Sequence, residues 1–182
     1  MQKRTTTRKI WLSTFQIAAA AIFAALVAIV TVVTTIPIPG VSGGGIFNLG
    51  EAILYAAALL LGPFAGLIAG AGAAIADITV APAYIPITLV IKAIEGLLVG
   101  YLVKRLNRKI KSLSLCASIA ILVGGLEMVG GYFIYETFMW RGFSVALVNA
   151  PFNIIQMLTG LIIAVPVIHA VLRAFPQFKN YL

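Results

Sequence analysis

The sequence predicts an all-α integral membrane protein, on the basis of its charge content, its hydropathy and its long apolar runs. Only 10% of the 182 residues are charged, whereas a soluble domain carries about 25%. Hydrophobic residues make up 62% of the chain, and the mean hydropathy is +1.08. A backbone inside lipid must satisfy its own hydrogen bonds, and these runs lack the alternation of a β-barrel, so we expect transmembrane helices.

Six apolar runs predict six transmembrane helices, at about residues 15–36, 49–61, 64–80, 86–103, 113–135 and 149–172. The first, fourth, fifth and sixth runs reach the length of about 20 residues that spans a bilayer. The second and third are shorter and are separated by Gly62 and Pro63, which predict a turn. Four or five spans are the alternative, if these two segments merge or re-enter the membrane. No linker divides the chain, so residues 1–182 form one predicted membrane domain.

The basic residues predict how the helices are oriented. Eleven of the thirteen lie within residues 3–9, 104–111 and 173–179, which fall on the same side of a six-helix bundle. Because basic loops stay in the cytoplasm, we expect both termini to be cytoplasmic. The net charge of +8 thus reflects membrane topology, and we expect no nucleic acid among the partners.

Two ionisable residues lie inside the fourth predicted helix, in the stretch LVIKAIEGLLVGYLVKR. Lys92 and Glu95 each cost roughly 2.5–3.5 kcal/mol to insert, and their i, i+3 spacing allows them to pair. They form either a neutralised structural pair or part of a pocket for a polar solute. Glu127 in the fifth helix is expected at a similar depth. Tyr132 lies nearer the membrane surface, where tyrosine serves either as an interfacial anchor or to bind a ligand.

Three amide side chains share one face of the sixth predicted helix. Asn149, Asn153 and Gln156 are spaced i, i+4 and i+7. Amides both donate and accept hydrogen bonds, which suits a heterocycle with ring nitrogens and hydroxyl groups. A hydrogen-bonded seam between helices is the alternative. The candidate substrate-binding residues are therefore Lys92, Glu95, Glu127, Tyr132, Asn149, Asn153 and Gln156.

The loop between the first two predicted helices, IPIPGVSGGGIFN, is rich in proline and glycine. Glycine admits backbone angles that other residues avoid, and loops of this kind commonly flank binding sites. We assign a gating loop to Gly43, Gly44, Gly45 and Asn48, with a plain connector as the alternative.

Small residues in the first predicted helix recur at four-residue spacing, which allows another helix to approach closely. One register contains Ala20, Ala24 and Ala28, and the other contains Ala21 and Ala25. The contact is either internal or with a separate membrane subunit, and the sequence leaves the register open. Glycines 66 and 70 repeat the spacing in the third helix and are expected to pack internally.

The chain lacks the motifs of the common enzyme classes. It contains no P-loop, nucleophile elbow or zinc motif, and its single cysteine and single histidine exclude most zinc sites. We therefore expect no enzyme, no metal and no cofactor. A stand-alone small-solute transporter or channel is an open alternative, and an intramembrane enzyme that uses its acidic residues is a more remote one.

Two stretches, FNLGEAILYAAALLLGPFAGLIAGAGAAIADI and YIPITLVIKAIEGLLVGYL, resemble the S component of an energy-coupling factor (ECF) transporter of the riboflavin-type branch. The resemblance implies a multi-pass subunit of a bacterial or archaeal plasma membrane that binds one vitamin in an outward-facing pocket. Helices 4 to 6 would form the pocket, and the loop between helices 1 and 2 would close it. The implied partners are a transmembrane coupling subunit, which small residues of helix 1 would contact, and two cytoplasmic ATPases.

The mixed charges and amides of the candidate site favour a small polar heterocycle as the substrate. Hydroxymethylpyrimidine or a vitamin B6 vitamer is therefore expected before riboflavin, which would need more flat apolar surface.

Overall fold

The computed structural model of the protein describes residues 14–38, 45–140 and 142–176. Within these residues the chain forms six α-helices: α1 (Thr14–Thr34), α2 (Gly50–Leu61), α3 (Pro63–Val80), α4 (Ile85–Leu106), α5 (Leu113–Tyr135) and α6 (Phe143–Ala174). A 3-10 turn (Pro82–Tyr84) precedes α4, and a π-helical turn (Glu136–Trp140) follows α5. All six predicted helices are present.

The largest difference from the predicted boundaries is at α6, which begins at Phe143 rather than at residue 149. Gly142 has a φ of 89°, which favours glycine, and this residue precedes the first turn. Leu147 is an exposed apolar side chain, so the added turns extend the outer face of α6. The predicted start was late because Asn149 and Pro151 resemble the cap and first turn of a helix.

Helix α2 is short and enclosed. Its 12 residues span about 18 Å, less than the roughly 30 Å of a bilayer core. Eleven of them are buried, and the surrounding helices are α1, α3, α4 and α6. Among the described residues, the other five helices are long and apolar enough to cross a membrane. The turn predicted at Gly62 and Pro63 joins α2 to α3, and Gly62 has a φ of 92°.

Helices α3 and α4 meet along a seam of glycines. A Cβ atom at Gly96 would overlap the backbone carbonyl of Gly66, and one at Gly70 would overlap the carbonyl of Lys92. Contacts of this kind let two helix backbones touch. The internal packing predicted for Gly66 and Gly70 is therefore confirmed, and the seam sets the position of Lys92 relative to α3.

The structure separates the two alanine registers of α1. Ala20 is 1% exposed, and the backbone of Ala24 lies against α3. Ala28 is partly buried, whereas Ala21 and Ala25 are exposed. The Ala20 register is thus used inside the bundle, and the Ala21 register is left on the surface.

A short β-hairpin follows α1, where the sequence predicted only a glycine-rich loop. Strand β1 (Ile36–Pro37) pairs with antiparallel β2 (Ile46–Phe47), and the Ile38 N–H donates to the Gly45 carbonyl at 2.8 Å. The β-branched and aromatic residues of both strands favour this extended conformation. The predicted gating-loop residues divide into Gly45 and Asn48, which the structure describes, and Gly43 and Gly44, which lie outside the described residues.

Candidate substrate-binding site

A cavity opens at the end of the bundle where α3 and α5 end and α4 and α6 begin. It holds about 610 Å³ of space free of protein atoms, including its mouth. Residues from all six helices and from the hairpin line it. The first three helices therefore contribute to the lining, in addition to the helices 4 to 6 that the resemblance implied.

Lys92 lies at the floor of the cavity and is 4% exposed. Its Nζ forms ion pairs with Glu51, in the first turn of α2, and with Glu95, at 3.0 Å. The Tyr55 hydroxyl donates to Glu95 Oε1 at 2.7 Å. A buried charge requires such partners, because it has lost its hydration. The predicted pair of Lys92 and Glu95 is confirmed, and Glu51 is added to it.

The amides of α6 reach two different parts of the site. Gln156 Nε2 donates to Glu51 Oε1 at 2.9 Å, and Gln156 Oε1 accepts the backbone N–H of Asn48 at 3.2 Å. Asn149 Nδ2 donates to Glu136 Oε1 at 2.7 Å. The predicted shared face of Asn149, Asn153 and Gln156 is present, and all three residues line the cavity.

The π-helical turn after α5 carries a buried carboxylate. Glu136 is 2% exposed, and its Oε1 also accepts the Tyr84 hydroxyl at 3.0 Å. Turns of this kind are frequent at functional sites. Glu136 falls between the fifth and sixth predicted helices, and the structure directs its side chain into the cavity wall.

Tyr132 is directed into the bundle rather than toward the membrane interface. Its hydroxyl donates to Thr88 Oγ1 at 2.9 Å, and Lys92 Nζ lies 5.7 Å from the centre of its ring. A cation at this distance is attracted to the face of an aromatic ring. Tyr132 therefore helps to hold Lys92 as well as forming cavity wall.

The structure brings together most, but not all, of the predicted binding residues. Those that line the cavity are Lys92, Tyr132, Asn149, Asn153 and Gln156. Glu95 lies beneath the floor, and Glu127 is half-buried outside the lining. The Glu127 carboxylate is nonetheless turned into the bundle, because its Oε2 is buried and lacks a hydrogen-bond donor among the described residues. Glu127 thus lies beside the cavity rather than in its lining, and its expected role in binding stays a prediction.

Several lining residues were missing from the predicted set, namely Thr31, Glu51, Asp77, Tyr84, Thr88 and Glu136. All but Thr88 lie outside α4, α5 and α6, in the first three helices or in the 3-10 and π-helical turns, so spacing within those three helices does not reveal them. Thr88 is the exception, since it lies one helical turn before Lys92 on α4. The signal available in the sequence was depth in the membrane. In the predicted orientation, Glu51 and Asp77 fall in the same half of the membrane as Lys92.

Two buried acceptors in the cavity lack a donor. Neither Glu51 Oε2 nor Asn149 Oδ1 accepts a hydrogen bond from the residues that the structure describes. Buried polar atoms are normally paired, so these positions favour a ligand that donates hydrogen bonds. Among the described lining residues, Lys92 is the one cation and is already shared between two carboxylates, while Asp77 adds a further acid. The site is therefore unfavourable for an anion.

Comparison with known proteins identifies relatives over most of the chain. A family model described as ECF-type riboflavin transporter, S component, matches residues 11–173. An uncharacterized protein in a gap 3′ region of Pyrococcus woesei is 33% identical over 138 residues, which are 75% of this chain and 88% of that protein. The thiamine precursor transporter HmpT of Lactococcus lactis subsp. cremoris (strain MG1363) is 31% identical over 146 residues, 79% of this chain and 80% of the relative.

Solved structures show the same fold. The S component of a bacterial ECF transporter aligns with a TM-score of 0.65 at 15% identity, over 91% of this chain and 97% of the other. ThiT from Listeria monocytogenes aligns with a TM-score of 0.60 at 19% identity, over 90% and 96% of the two chains. At these identities the structures establish the fold alone. Together with the match over residues 11–173, they show that this multi-pass membrane protein belongs to the S-component family of ECF-type riboflavin transporters, which serve vitamin uptake.

Proposed function

We propose that this S component captures hydroxymethylpyrimidine on the outer side of the membrane and delivers it inward together with an energising module. The name of its relative HmpT, a thiamine precursor transporter, supports this class of substrate. The pattern of donors and acceptors at the cavity floor supports it independently.

The observation that carries the proposal is the pairing of Lys92 with Glu51. Of the three donors on the ammonium, two are directed at Glu51 and Glu95, which leaves one for a ligand. Glu51 Oε2 is an acceptor without a donor among the described residues. An aminopyrimidine presents the complementary edge, since its amino group donates and the adjacent ring nitrogen accepts. The hydroxymethyl group would then supply a further donor to Asn149 Oδ1.

Other vitamins fit this pattern less well. A B6 vitamer offers a ring nitrogen and hydroxyl groups but lacks the amino group beside the nitrogen, so it is the second candidate. Riboflavin needs a flat slot for three fused rings. The two lining tyrosines, Tyr84 and Tyr132, are instead tilted by 53° with centres 6.3 Å apart, which argues against such a slot.

The exposed alanines of α1 supply a docking face for the energising module in this proposal. We infer that Ala21 and Ala25 contact the transmembrane coupling subunit, because the Ala20 register is occupied by internal packing and the Ala21 register is exposed. Two cytoplasmic ATPases would complete the complex. Both termini would then be cytoplasmic. The short helix α2 counts as one of six segments, and an even number of segments returns the chain to the side on which it began.

Thermal unfolding of the detergent-purified protein against a panel of compounds tests the substrate. The panel contains hydroxymethylpyrimidine, pyridoxine, riboflavin, thiamine and the anion pyridoxal 5′-phosphate. A ligand at a hundredfold excess over its dissociation constant stabilises the native state by about 2.7 kcal/mol. We expect a large shift with hydroxymethylpyrimidine at micromolar concentration and none with the phosphate ester, which would face the carboxylates of Glu51 and Asp77.

Two results would contradict the proposal. If riboflavin alone raised the unfolding temperature, the substrate would be riboflavin, as in the name of the family, and not a thiamine precursor. No shift with any compound, from protein shown to be folded and free of co-purified ligand, would count against a vitamin-binding cavity.

A further inference from the structure

The bundle buries more negative than positive charge around the cavity. All five acidic residues of the chain lie in the cavity lining or next to it, namely Glu51, Asp77, Glu95, Glu127 and Glu136. Four of them are at most 5% exposed, and Glu127 is half-buried. Within the described part of the chain, Lys92 is the one fully buried basic side chain. The acids therefore outnumber the bases in a region that water screens poorly.

Lys92 balances only part of this charge. Its ammonium pairs with both Glu51 and Glu95, so one positive charge faces two negative ones. Asp77 lines the same cavity, and its neighbour Thr88 offers a hydroxyl group but no charge. Asp77 forms no ion pair with any residue that the structure describes. The inner part of the site thus combines three carboxylates with one ammonium.

One unpaired oxygen marks a place where a compensating charge would lie. Glu51 is 3% exposed and lines the cavity, and its Oε2 receives no hydrogen bond from the described residues. A metal ion is one candidate, but the described residues contain no group of three or more acidic, histidine or cysteine side chains arranged to hold one. An organic cation with N–H donors supplies both the charge and the missing hydrogen bond.

We propose that the cavity binds its ligand as an organic cation, so that a neutral weak base takes up one proton from water when it binds. The proposal rests on the proposed function for the identity of the base. Hydroxymethylpyrimidine has two ring nitrogens, and the one beside the amino group accepts from Lys92 in that function. The other ring nitrogen gains the proton, and the resulting cationic N–H donates to Asp77. No further bond forms or breaks.

The groups that titrate around the bound base come from several elements. They are the five carboxylates, Lys92, and the hydroxyl groups of Tyr55, Tyr84 and Tyr132. Helices α1 and α6 and the described residues of the hairpin add only neutral side chains to the lining. While the carboxylates and Lys92 keep their charge, the protonated fraction of the free base sets the apparent affinity. Above the pKa of the free base, this fraction rises about tenfold for each unit by which the pH falls.

Calorimetric titration of the detergent-purified protein with hydroxymethylpyrimidine counts the protons. The titration is run at a pH at which the free compound is neutral, in buffers of different ionisation enthalpy such as phosphate and Tris. The slope of the binding enthalpy against the ionisation enthalpy of the buffer gives the number of protons taken up. We expect about one proton, and an affinity that rises about tenfold for each unit by which the pH is lowered.

Nuclear magnetic resonance of the bound compound locates the proton. With isotope-labelled ring nitrogens, the nitrogen that is not beside the amino group should show the chemical shift of the protonated compound. The shift of the free, neutral compound at that nitrogen would place the proton on the protein instead and would overturn the proposal.

Two variants distinguish charge from shape. Asp77→Asn removes the proposed counter-charge at nearly constant volume, so proton uptake should fall toward zero and the affinity should lose its pH dependence. The matched control is Asn153→Ala, which also changes a polar lining residue but leaves the charge of the cavity unaltered. Whatever the affinity of this control, its proton uptake should stay at about one. Thermal unfolding checks that both variants are folded, and if Asp77→Asn is not, the measurements on the unmodified protein decide.

Binding of hydroxymethylpyrimidine without proton uptake would overturn this proposal and leave the proposed substrate intact, and unchanged uptake in folded Asp77→Asn would also contradict it. If another compound of the panel binds instead, the proposed substrate is wrong but the charge is still tested. Thiamine carries a permanent positive charge and should bind without a proton, whereas pyridoxine is a weak base and should take one up. Tight binding of neutral riboflavin would exclude a cation site, and no binding by any compound would overturn both proposals.

Discussion

At the scale of single residues, the cavity is organised around the charge of Lys92. An ion taken out of water loses several kcal/mol of hydration, which its partners must offset. Glu51 and Glu95 supply carboxylate oxygens, and the ring of Tyr132 lies above the ammonium. These partners come from α2, α4 and α5, so the charge is satisfied only when three helices are assembled. The shape of the site is therefore tied to the packing of the bundle.

The two carboxylates that pair with Lys92 should differ in their effect on binding. Glu51 lines the cavity, whereas Glu95 is fully buried beneath it and contacts Lys92 and Tyr55. We expect Glu51→Gln to weaken binding of hydroxymethylpyrimidine about tenfold or more, as for the loss of a charged hydrogen bond. Glu95→Gln should lower thermal stability but leave the affinity nearly unchanged. Calorimetric titration of both variants measures the difference, and equal losses of affinity would contradict it.

Part of this site could be predicted from the sequence, and part could not. Lys92 and Glu95 are one helical turn apart, so their pairing follows from spacing alone. The contact of Glu51 with Lys92 depends on how α2 packs against α4, which no local pattern encodes. Glu127 was expected at the depth of the others, but whether its buried carboxylate reaches the cavity wall depends on the packing of α5, which depth along a helix does not encode.

At the scale of helices, glycine decides where two backbones approach. Gly66 and Gly96 leave no room for side chains between α3 and α4, and Gly70 lies against the backbone of Lys92. The seam therefore controls the site as well as the packing. A change that separated these helices would also move the floor of the cavity.

Alanine substitutions at two glycines test the seam. Gly96→Ala overpacks it and should destabilise the protein by about 1–3 kcal/mol, with weaker ligand binding because Lys92 is displaced. Gly130 on α5 has no atom within 4 Å of an added Cβ, so Gly130→Ala is the matched control. Alanine favours helices by up to about 1 kcal/mol over glycine, so this control should be neutral or stabilising. Thermal unfolding measures both, and equal effects would exclude a special role for the seam.

The sequence located the helices well because an apolar run of spanning length has few other interpretations. It located their ends less well, as α6 shows, because Pro151 resembles the start of a helix but lies inside one. The burial of α2 was not predictable. Its composition matches that of the lipid-facing segments, and only the packing of four neighbours distinguishes it.

At the scale of the whole molecule, α1 presents an exposed face to its surroundings. Substitution Ala25→Leu adds bulk where we infer contact with the coupling subunit, so it should abolish co-purification with the energising module and vitamin uptake. Ligand binding by the isolated subunit should stay intact. Ala170→Leu, at an exposed position of α6, is the control and should leave assembly unchanged. Uptake that persisted without the module would instead favour a stand-alone transporter.

The proposed orientation predicts which cysteines a membrane-impermeant maleimide reaches in intact cells. The native Cys116 is fully buried and should stay unlabelled. Met139 is 77% exposed beside the cavity end of the bundle, and Lys109 is exposed at the opposite end. We expect labelling of Met139→Cys from outside and of Lys109→Cys only after the membrane is permeabilised. The reverse pattern would invert the bundle.

Because α2 and its neighbours fill the bundle beneath Lys92, the cavity is closed at its inner end. Below its floor, Leu59, Val99 and Ile121 are completely buried and leave no passage for a vitamin through the described part of the chain. Cargo that enters by the mouth must leave by the mouth. If the subunit delivers a vitamin as proposed, we therefore expect the mouth of the cavity to change its side of the membrane, because a passage through the bundle is absent from the described residues. A cross-link that held the bundle upright should stop delivery and leave capture intact.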